Sequence, residues 1–196
     1  MELVLASTNK GKIAELREML TPLAITVLSP ADFPGWPEVE ETGKTFAENA
    51  ALKAEAGCAF CGRPTLADDS GLVVEHLNGA PGVFSARYAG LPSDPTKNNA
   101  LLLEKMRGVA TDARKAKFVC ALCYQAPGAE PRFFTGETHG RILEAPLGDN
   151  GFGYDPLFFS DDLQCGFAEA GAAEKNRVSH RGRALQQFIA YLKGGK

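Results

Sequence analysis

The sequence predicts an α/β fold built on a mixed β-sheet, and two observations carry that prediction. Early in the chain, short apolar segments alternate with segments of helical spacing, which is typical of parallel strands joined by helices. Later, two apolar segments, residues 116–125 and 131–139, follow each other across a turn at Pro127-Gly128, which is typical of paired strands. With 196 residues, 44% of them hydrophobic, the chain can bury one sizeable core, so we expect one domain over residues 1–196.

The first half of the chain reads as two strand–helix units before an acidic segment. An apolar strand precedes a polar turn at Ser7–Lys12, and Thr45 with Glu48 forms a capping box at the start of a later helix. Prolines mark the loop that separates the two units. In chain order we expect a strand over residues 2–6, a helix over 13–20, a strand over 25–28 and a helix from Thr45 towards Gly57.

Beyond the acidic segment, the predicted elements are placed by their terminal residues. Asp94 and Pro95 are favourable at a helix start, and Ser179 is a candidate N-cap for the final helix. A glycine-rich loop over residues 148–156 leads into the apolar residues 157–159. In chain order we expect a helix from Asp94 to about residues 106–108, strands over 116–125 and 131–139, and a helix with Leu185, Phe188, Ile189 and Leu192 on one face.

The acidic segment is the most informative part of the chain, because Asp68 and Asp69 stand side by side between Leu66-Ala67 and Gly71-Leu72. Carboxylates at the end of a buried strand cost free energy. A fold that keeps them commonly uses them to hold a divalent cation or to take a proton from water. The alternative is an aspartate turn, since Asp, Ser and Gly are also common turn residues.

Charge and hydropathy argue against nucleic-acid and membrane partners and indicate where the protein is located. The net charge of -3 and the pI near 5.7 argue against a general nucleic-acid or anionic-membrane binder, which would carry a basic excess. No apolar segment approaches the length of a membrane span, and Met1-Glu2-Leu3 lacks the basic residues of a signal peptide. We therefore expect a cytoplasmic protein that binds neither nucleic acid nor membrane.

The five cysteines include two Cys-x-x-Cys pairs, Cys58/Cys61 and Cys120/Cys123, a spacing shared with zinc and redox sites. Positions three apart on a strand point to opposite faces, so Cys120 and Cys123 cannot close on one metal. The gap between the pairs is also longer than zinc ribbons use. We expect reduced thiols without zinc or a disulfide.

The segment Lys10-Gly11-Lys12 suggests a phosphate-binding P-loop, but the pattern is incomplete. A P-loop requires a glycine five positions before the Gly-Lys pair and a Ser or Thr after the lysine, and Ala6 and Ile13 stand there instead. Amides at a helix N-terminus flanked by lysines form an anion site without that motif. Phosphate contact is therefore predicted here, with a solvated lysine pair as the alternative.

Glu40 and Glu41 lie in the proline-marked loop, and together with Asp68 and Asp69 they would supply the oxygen ligands that Mg²⁺ takes in proteins. The alternative is that the two glutamates are only solvated. A haloacid-dehalogenase-type nucleophile is disfavoured, because that pattern separates its aspartates by one residue.

Two further segments are candidates for substrate contact. Residues 174–183 place one acid, four cations and His180 around a helix start, although a solvated helix entrance would look the same. Phe152 lies among glycines and is a candidate aromatic platform for a ring, with a core phenylalanine as the alternative.

Five segments become distinctive when they are taken in order. They are Ser7–Lys12, Glu40–Gly43, Asp68–Gly71 with Ser85–Tyr88, Gly151–Asp155 and Lys175–Gly182. Each is weak alone, but together they closely resemble the inosine/xanthosine triphosphate pyrophosphatase family, also called Ham1-like, from Leu3 to about Arg183. The resemblance implies a homodimer of elongated α/β protomers, each with a long mixed sheet flanked by helices and two lobes with the active-site cleft between them. It also implies Mg²⁺-dependent hydrolysis of ITP, dITP and XTP to the monophosphate and pyrophosphate.

The same resemblance implies roles for individual residues. Asp69 would be the proton acceptor with Asp68 as a second catalytic carboxylate, and Glu40 and Asp69 would hold Mg²⁺. The other positions are expected to contact substrate: Ser7, Thr8, Asn9, Lys10, Gly11 and Lys12 at the triphosphate, Ser70, Arg87 and Lys175 elsewhere, and Phe152, Gly153, Tyr154, Asp155, His180 and Arg181 around the base.

Two alternatives stay open at this point: a Maf-like pyrophosphatase acting on other nucleotides, and a nucleotide-binding module without turnover. The segment His180-Arg181 argues against the Maf-like alternative, and its donors would select the O6 of a 6-oxo purine over the amino group of adenine. Clustered acids argue against simple binding, because they repel phosphates unless a metal intervenes. Guanine also carries O6, so rejection of GTP needs a further residue that the sequence does not identify.

Overall fold

The structure of the protein, a computed structural model, describes residues 1–194. In chain order the helices are α1 (Lys10–Leu20), α2 (Phe46–Cys61), α3 (Pro95–Lys105), α4 (Ala172–Val178) and α5 (His180–Gly194). The strands are β1 (Glu2–Leu5), β2 (Thr26–Leu28), β3 (Thr65–Val74), β4 (Lys115–Gln125), β5 (Arg132–Ile142), β6 (Phe158–Ser160) and β7 (Cys165–Gly166).

Within residues 1–194 the seven strands form one sheet, in the order β2-β1-β3-β4-β5-β6-β7. Strand β1 pairs in parallel with both β2 and β3, with Val4 opposite Leu28 and Thr65. Strand β6 pairs antiparallel with β5 and with β7. The predicted α/β class with a mixed sheet is therefore confirmed. No helix in the described part of the chain is long and apolar enough to cross a bilayer.

Helix ends agree with the predicted caps but move one boundary. Thr45 and Glu48 form the predicted capping box of α2, and Ser179 Oγ accepts a hydrogen bond from Gly182 N at 3.0 Å at the start of α5. Helix α1, however, begins at Lys10 because Asn9 is its cap. Lys10 and Lys12 thus belong to the first turn of α1, where the backbone N–H groups have no carbonyl partner within the helix.

Helix α4 and strand β7 are absent from the sequence prediction. They contain seven and two residues, and segments this short do not show a hydrophobic period.

The acidic segment lies inside a strand. Strand β3 continues without interruption from Thr65 to Val74, and Asp68 and Asp69 are only 2% and 6% exposed. The aspartate-turn alternative is excluded, and the expectation that the acids stand at a strand end is wrong. The physical reason is visible at Gly71, where an added Cβ would lie 2.3 Å from Ser85 Oγ, so the extended strand uses its glycine for close packing rather than for a turn.

The chain divides into two compact units. The first contains Met1–Asp69, Cys120–Thr135 and the C-terminal segment from Ala184, and the second contains Ser70–Val119 and Gly136–Arg183. Strands β3, β4 and β5 contribute residues to both units.

The first unit has a hydrophobic cluster on each face of its strands. One cluster is covered by α1 and α5, and the other is covered by α2. Strand alternation assigns each residue to its face: Leu66 belongs to the α1 side and Ala67 to the α2 side. By the same alternation Asp68 faces the α1 side and Asp69 faces the α2 side.

The second unit is built around aromatic side chains. Phe118 and Phe167 both pack on Phe158, with ring centroids 4.7 and 4.9 Å from it. Buried Leu102 and Met106 from the end of α3 complete this core.

The cysteines follow the strand geometry. Cys120 belongs to the α1-side cluster and Cys123 to the α2-side cluster, and all five cysteines are free thiols in the described residues. Burial raises the pKa of Cys58, and burial with the nearby charge of Glu55 raises the pKa of Cys123 to about 12.

Thiol titration tests this arrangement. Because Cys58, Cys120 and Cys123 are buried whereas Cys61 and Cys165 are partly exposed, we expect two thiols to react rapidly with Ellman's reagent in the native protein and five after unfolding in urea without reductant. Fewer than five thiols after unfolding would reveal a disulfide, and rapid reaction of more than two in the native protein would contradict the described burial.

Candidate active site

The segment from Ser7 to Lys12 forms a capped helix start. Ser7 Oγ accepts a hydrogen bond from Asn9 N at 3.2 Å, and Asn9 Oδ1 accepts one from Lys12 N at 3.2 Å. Thr8 and Lys10 are exposed. The backbone amides of this turn and the positive end of the helix dipole therefore favour an anion here.

The side chain of Lys12, from the same turn, reaches a carboxylate of β3. Its Nζ lies 2.5 Å from Oδ1 of Asp68, whose side chain is almost fully buried. A carboxylate buried to this degree requires a cation or several hydrogen bonds, and Lys12 supplies the charge.

Asp69 has a different lysine on the other face of the strand. Lys53 of α2 places Nζ 2.8 Å from Oδ1 of Asp69, 2.8 Å from Oε1 of Glu41 and 2.9 Å from the carbonyl oxygen of Asp68. Asn49 Nδ2 lies 3.4 Å from Oδ2 of Asp69. Three oxygen atoms thus converge on one cationic position.

Asn49 also holds the loop that carries Glu41 close to Lys53. Its Oδ1 accepts a hydrogen bond from Gly43 N at 2.8 Å, and a Cβ at residue 43 would lie 2.6 Å from that oxygen. A glycine at residue 43 therefore lets the loop approach α2 closely enough to bring Glu41 to Lys53.

These contacts shift the titration of both groups. Burial raises the pKa of Asp69 and outweighs the opposing effect of Lys53 and Lys12. Burial disfavours the Lys53 ammonium, but Asp69 and Glu41 outweigh it and raise the pKa of Lys53. The result is a carboxylate that is a stronger base than a solvated aspartate, next to a firmly charged lysine.

Sequence reasoning missed Asn49 and Lys53. Their spacing of i and i+4 places both on one face of α2, which is otherwise rich in alanine and faces the α2-side cluster. A polar pair on an apolar helix face was the available signal. The sequence-predicted metal ligand Glu40 is exposed, and Glu41 is the loop glutamate that reaches Lys53.

The second unit contains its own buried ion pair. Lys175 Nζ lies 2.6 Å from Oδ2 of Asp155, with side chains 5% and 4% exposed. Oδ2 of Asp155 also accepts a hydrogen bond from Phe152 N at 2.9 Å. The loop glycine Gly151 has φ +79°, and a Cβ there would lie 2.2 Å from the same oxygen.

Cations surround the ring of Phe152. Lys175 Nζ and the Arg181 guanidinium lie 5.1 and 5.7 Å from the ring centroid, and Arg181 Nη2 donates to Ser70 Oγ at 2.9 Å. His180 stacks on Phe118, with centroids 4.8 Å apart and planes 13° from parallel. The predicted platform thus has charged donors beside it.

Neighbouring residues hold the loop that carries Phe152. Tyr154 donates its hydroxyl hydrogen to the carbonyl of Ser85 at 2.8 Å, and Asn99 Nδ2 donates to the carbonyl of Gly153 at 3.0 Å. Burial raises the pKa of the Tyr154 hydroxyl, which keeps it a donor. Arg87, predicted as a substrate contact, lies over the exposed ring of Phe84 at 5.2 Å.

The geometry thus brings the predicted residues together in two sets. Asp68 with Lys12, and Asp69 with the unpredicted Lys53, form the first set within one unit. The second set lies within the other unit and contains Ser70, Phe152, Asp155, Lys175 and Arg181.

A profile of the Ham1 family matches residues 3–191, which include both sets. The chain belongs to the Ham1 family. The resemblance found in the sequence is therefore confirmed, and the Maf-like alternative loses its support.

Solved and curated relatives of this family cover nearly the whole chain. The Ham1 protein of Staphylococcus aureus is 39% identical, with a TM-score of 0.88 and full coverage of both chains, and that of Coxiella burnetii is 42% identical, with a TM-score of 0.88 and 98% coverage of each. A Geobacter sulfurreducens protein named dITP/XTP pyrophosphatase is 51% identical over 97% of this chain and 96% of its own.

The raised pKa of Asp69 predicts a pH-dependent stability difference. The folded state binds this proton more tightly than the unfolded chain, so the contribution of Asp69 to stability is present at low pH and is lost as the pH rises through the folded-state pKa. Asp69→Asn should therefore gain free energy of unfolding relative to wild type as the pH rises above about 4, measured by urea denaturation.

Asp32 provides a control of opposite sign. Hydrogen bonds from the backbone and side chain of Ser29 lower the pKa of Asp32, so Asp32→Asn should lose stability relative to wild type as the pH rises through the acid range. Parallel pH profiles for the two variants would contradict the described environment of Asp69.

A pair of glycine variants tests the loop around Asp155. Gly151 and Gly153 both have positive φ, but only at Gly151 would a Cβ meet Asp155, since nothing lies within 4 Å at Gly153. Both alanine variants should lose about 1–2 kcal/mol from the left-handed backbone, and Gly151→Ala should lose at least about 1 kcal/mol more from the clash. Equal losses in urea denaturation would show that Asp155 moves freely.

Proposed function

We propose that the protein hydrolyses non-canonical purine nucleoside triphosphates, dITP, ITP and XTP, to the monophosphate and pyrophosphate with Mg²⁺. Two observations support this proposal: membership of the Ham1 family, and relatives about half identical over nearly the whole chain that are named dITP/XTP pyrophosphatases. The observation that carries the chemistry is the pair of buried carboxylates of β3, each held by its own lysine.

The triphosphate would be bound by cationic groups of the first unit. The amide-rich start of α1 and the ammonium of Lys12 offer the positive charge that a phosphate chain requires. In the second unit, the ammonium of Lys175 and the hydroxyl of Ser70, which lies beside Arg181, are the proposed substrate contacts. We assign these residues to substrate binding.

The residues around Lys53 fit a divalent cation. Glu41 and Asp69 each hold a carboxylate oxygen 2.8 Å from the Lys53 ammonium, so both carboxylates would be available to an ion that binds beside that ammonium. Mg²⁺ commonly takes one or two carboxylates and completes its coordination with water and substrate phosphates. Asp69 would hold the ion with a loop glutamate, for which the sequence predicts Glu40 and the geometry favours Glu41. When bound, Mg²⁺ would offset phosphate charge and make water more acidic.

Asp69 is the proposed proton acceptor. Its raised pKa suits a group that takes a proton from water as the water attacks the α-phosphorus and pyrophosphate leaves as one unit. Asn49 contacts one carboxylate oxygen and Lys53 the other, so both hold the base in a defined orientation. Asp68 acts in this scheme by holding Lys12.

The base would lie against Phe152. A purine stacks favourably on an aromatic ring, and Arg181 beside that ring offers donors to O6, which adenine replaces with an amino group. Tyr154 and Asp155 keep the loop in place through Ser85 and Lys175. Rejection of guanine requires a separate contact at its 2-amino group.

Two further properties belong to this proposal. We infer a homodimer, as the family resemblance implies, and the exposed apolar side chains of Phe84 and Leu91 are compatible with a covered surface. We also infer a cytoplasmic location, where nucleotide pools are replenished.

A substrate panel tests the proposed function. Purified protein should release pyrophosphate from dITP and XTP much faster than from dATP, dGTP or TTP, and chelation of divalent cations should stop the reaction. Asp69→Asn should lower kcat by about 10²–10⁴-fold while the circular dichroism spectrum stays unchanged.

The outcomes separate the alternatives. Release of orthophosphate instead of pyrophosphate would contradict attack at the α-phosphorus. Fast hydrolysis of TTP would favour the Maf-like alternative, and tight binding of dITP without turnover would favour a binding module.

A further inference from the structure

Cys120 is a buried core residue that contacts the carboxylate of Asp68. It occupies the interior of β4 with no exposed surface, and its Sγ lies 3.4 Å from Oδ2 of Asp68. An ionised carboxylate only accepts hydrogen bonds, so the thiol is the donor in this contact. Hydrogen bonds to a charged acceptor are stronger than those between neutral groups.

The neighbours of Cys120 do not explain a thiol at this position by packing alone. The other buried members of the α1-side cluster are all leucine, alanine or phenylalanine, and they include Leu66 of β3 and Leu122 of β4. A small apolar residue would fill the same space. The feature that a thiol adds is one polar hydrogen, and Asp68 is the acceptor that it reaches.

The two oxygens of Asp68 thus have separate partners. Oδ1 lies 2.5 Å from Lys12 Nζ, and Oδ2 receives the thiol hydrogen of Cys120. The final torsion of an aspartate side chain is broad when nothing holds it. Contacts on both oxygens fix the carboxylate plane and with it the position of the Lys12 ammonium.

We propose that Cys120 is a positioning residue, whose thiol orients Asp68 so that Lys12 is directed to the phosphate chain of the substrate. The proposal rests on the proposed function for the identity of that substrate, although the hydrogen bond itself does not. Cys120 does not touch the reacting atoms, and it acts through Asp68.

Cys123 is a matched control on the same strand. It has no exposed surface and packs on the α2 side with Ala50, Ala54 and Ala67. Because Cys123 faces the opposite side of β4, its replacement removes a similarly buried thiol and leaves the contact with Asp68 in place.

The kinetic test compares alanine and serine at both cysteines with dITP and Mg²⁺. Cys120→Ala should raise KM about fivefold with kcat within about twofold, because a loosened lysine weakens phosphate binding in the ground and transition states alike. Cys120→Ser should restore KM to within about twofold of wild type, because its hydroxyl also donates. Cys123→Ala and Cys123→Ser should leave KM unchanged.

Infrared spectroscopy tests the hydrogen bond without any substrate. The S–H stretch lies in a region free of other protein bands, and a hydrogen bond to a carboxylate lowers its frequency. In wild-type minus Cys120→Ser spectra, the Cys120 band should lie below the Cys123 band obtained in the same way. Asp68→Asn should move the Cys120 band to higher frequency and leave the Cys123 band in place.

Each outcome bears on the proposal. A Cys120 band equal to that of Cys123 and unmoved in Asp68→Asn would overturn it, as would a folded Cys120→Ser with the high KM of Cys120→Ala. If Cys120→Ala fails to fold, the serine variant and the infrared shift still decide. A shifted band in a protein that does not hydrolyse dITP would uphold the hydrogen bond and refute the proposed function.

Discussion

A β-strand turns successive side chains to opposite faces, and this rule organises the acidic centre of the protein. By this alternation Asp68 faces the α1 side and Asp69 faces the α2 side. Both faces of the first half of β3 are buried, so both carboxylates are removed from solvent. A buried carboxylate is costly unless a cation compensates it. Lys12 and Lys53 provide that charge at 2.5 and 2.8 Å, so two adjacent acids form two separate ion pairs.

The helix caps decide where those lysines stand. Asn9 starts α1 three residues before Lys12, and the capping box at Thr45 starts α2 so that Asn49 and Lys53 follow on one face. The same side of α2 receives the acidic loop through Gly43, which brings Glu41 to the ammonium of Lys53. Local hydrogen bonds at helix ends therefore place the charges on which the proposed chemistry depends.

The second unit meets the same electrostatic constraint with a loop in place of a strand. Asp155 is buried with Lys175, and the backbone amide of Phe152 binds the same carboxylate oxygen. Gly151 is required there because its positive φ and close approach leave no room for a side chain. The buried ion pair thus fixes the backbone that presents Phe152 to Lys175 and Arg181.

The sequence by itself determined the α/β class, the capped starts of α2 and α5, the separation of Cys120 from Cys123, and the residues that identify the family, because these depend on periodicity and on local or ordered motifs. It did not determine that Asp68 and Asp69 lie inside a strand, because Ser70 and Gly71, which follow them, are also common in turns. Nor did it reveal Lys53, Asn49 or the choice of Glu41, since each depends on which helix covers which face of β3. Only the tertiary structure decides those contacts, because a buried charge selects its partner by distance in space and not by position in the chain.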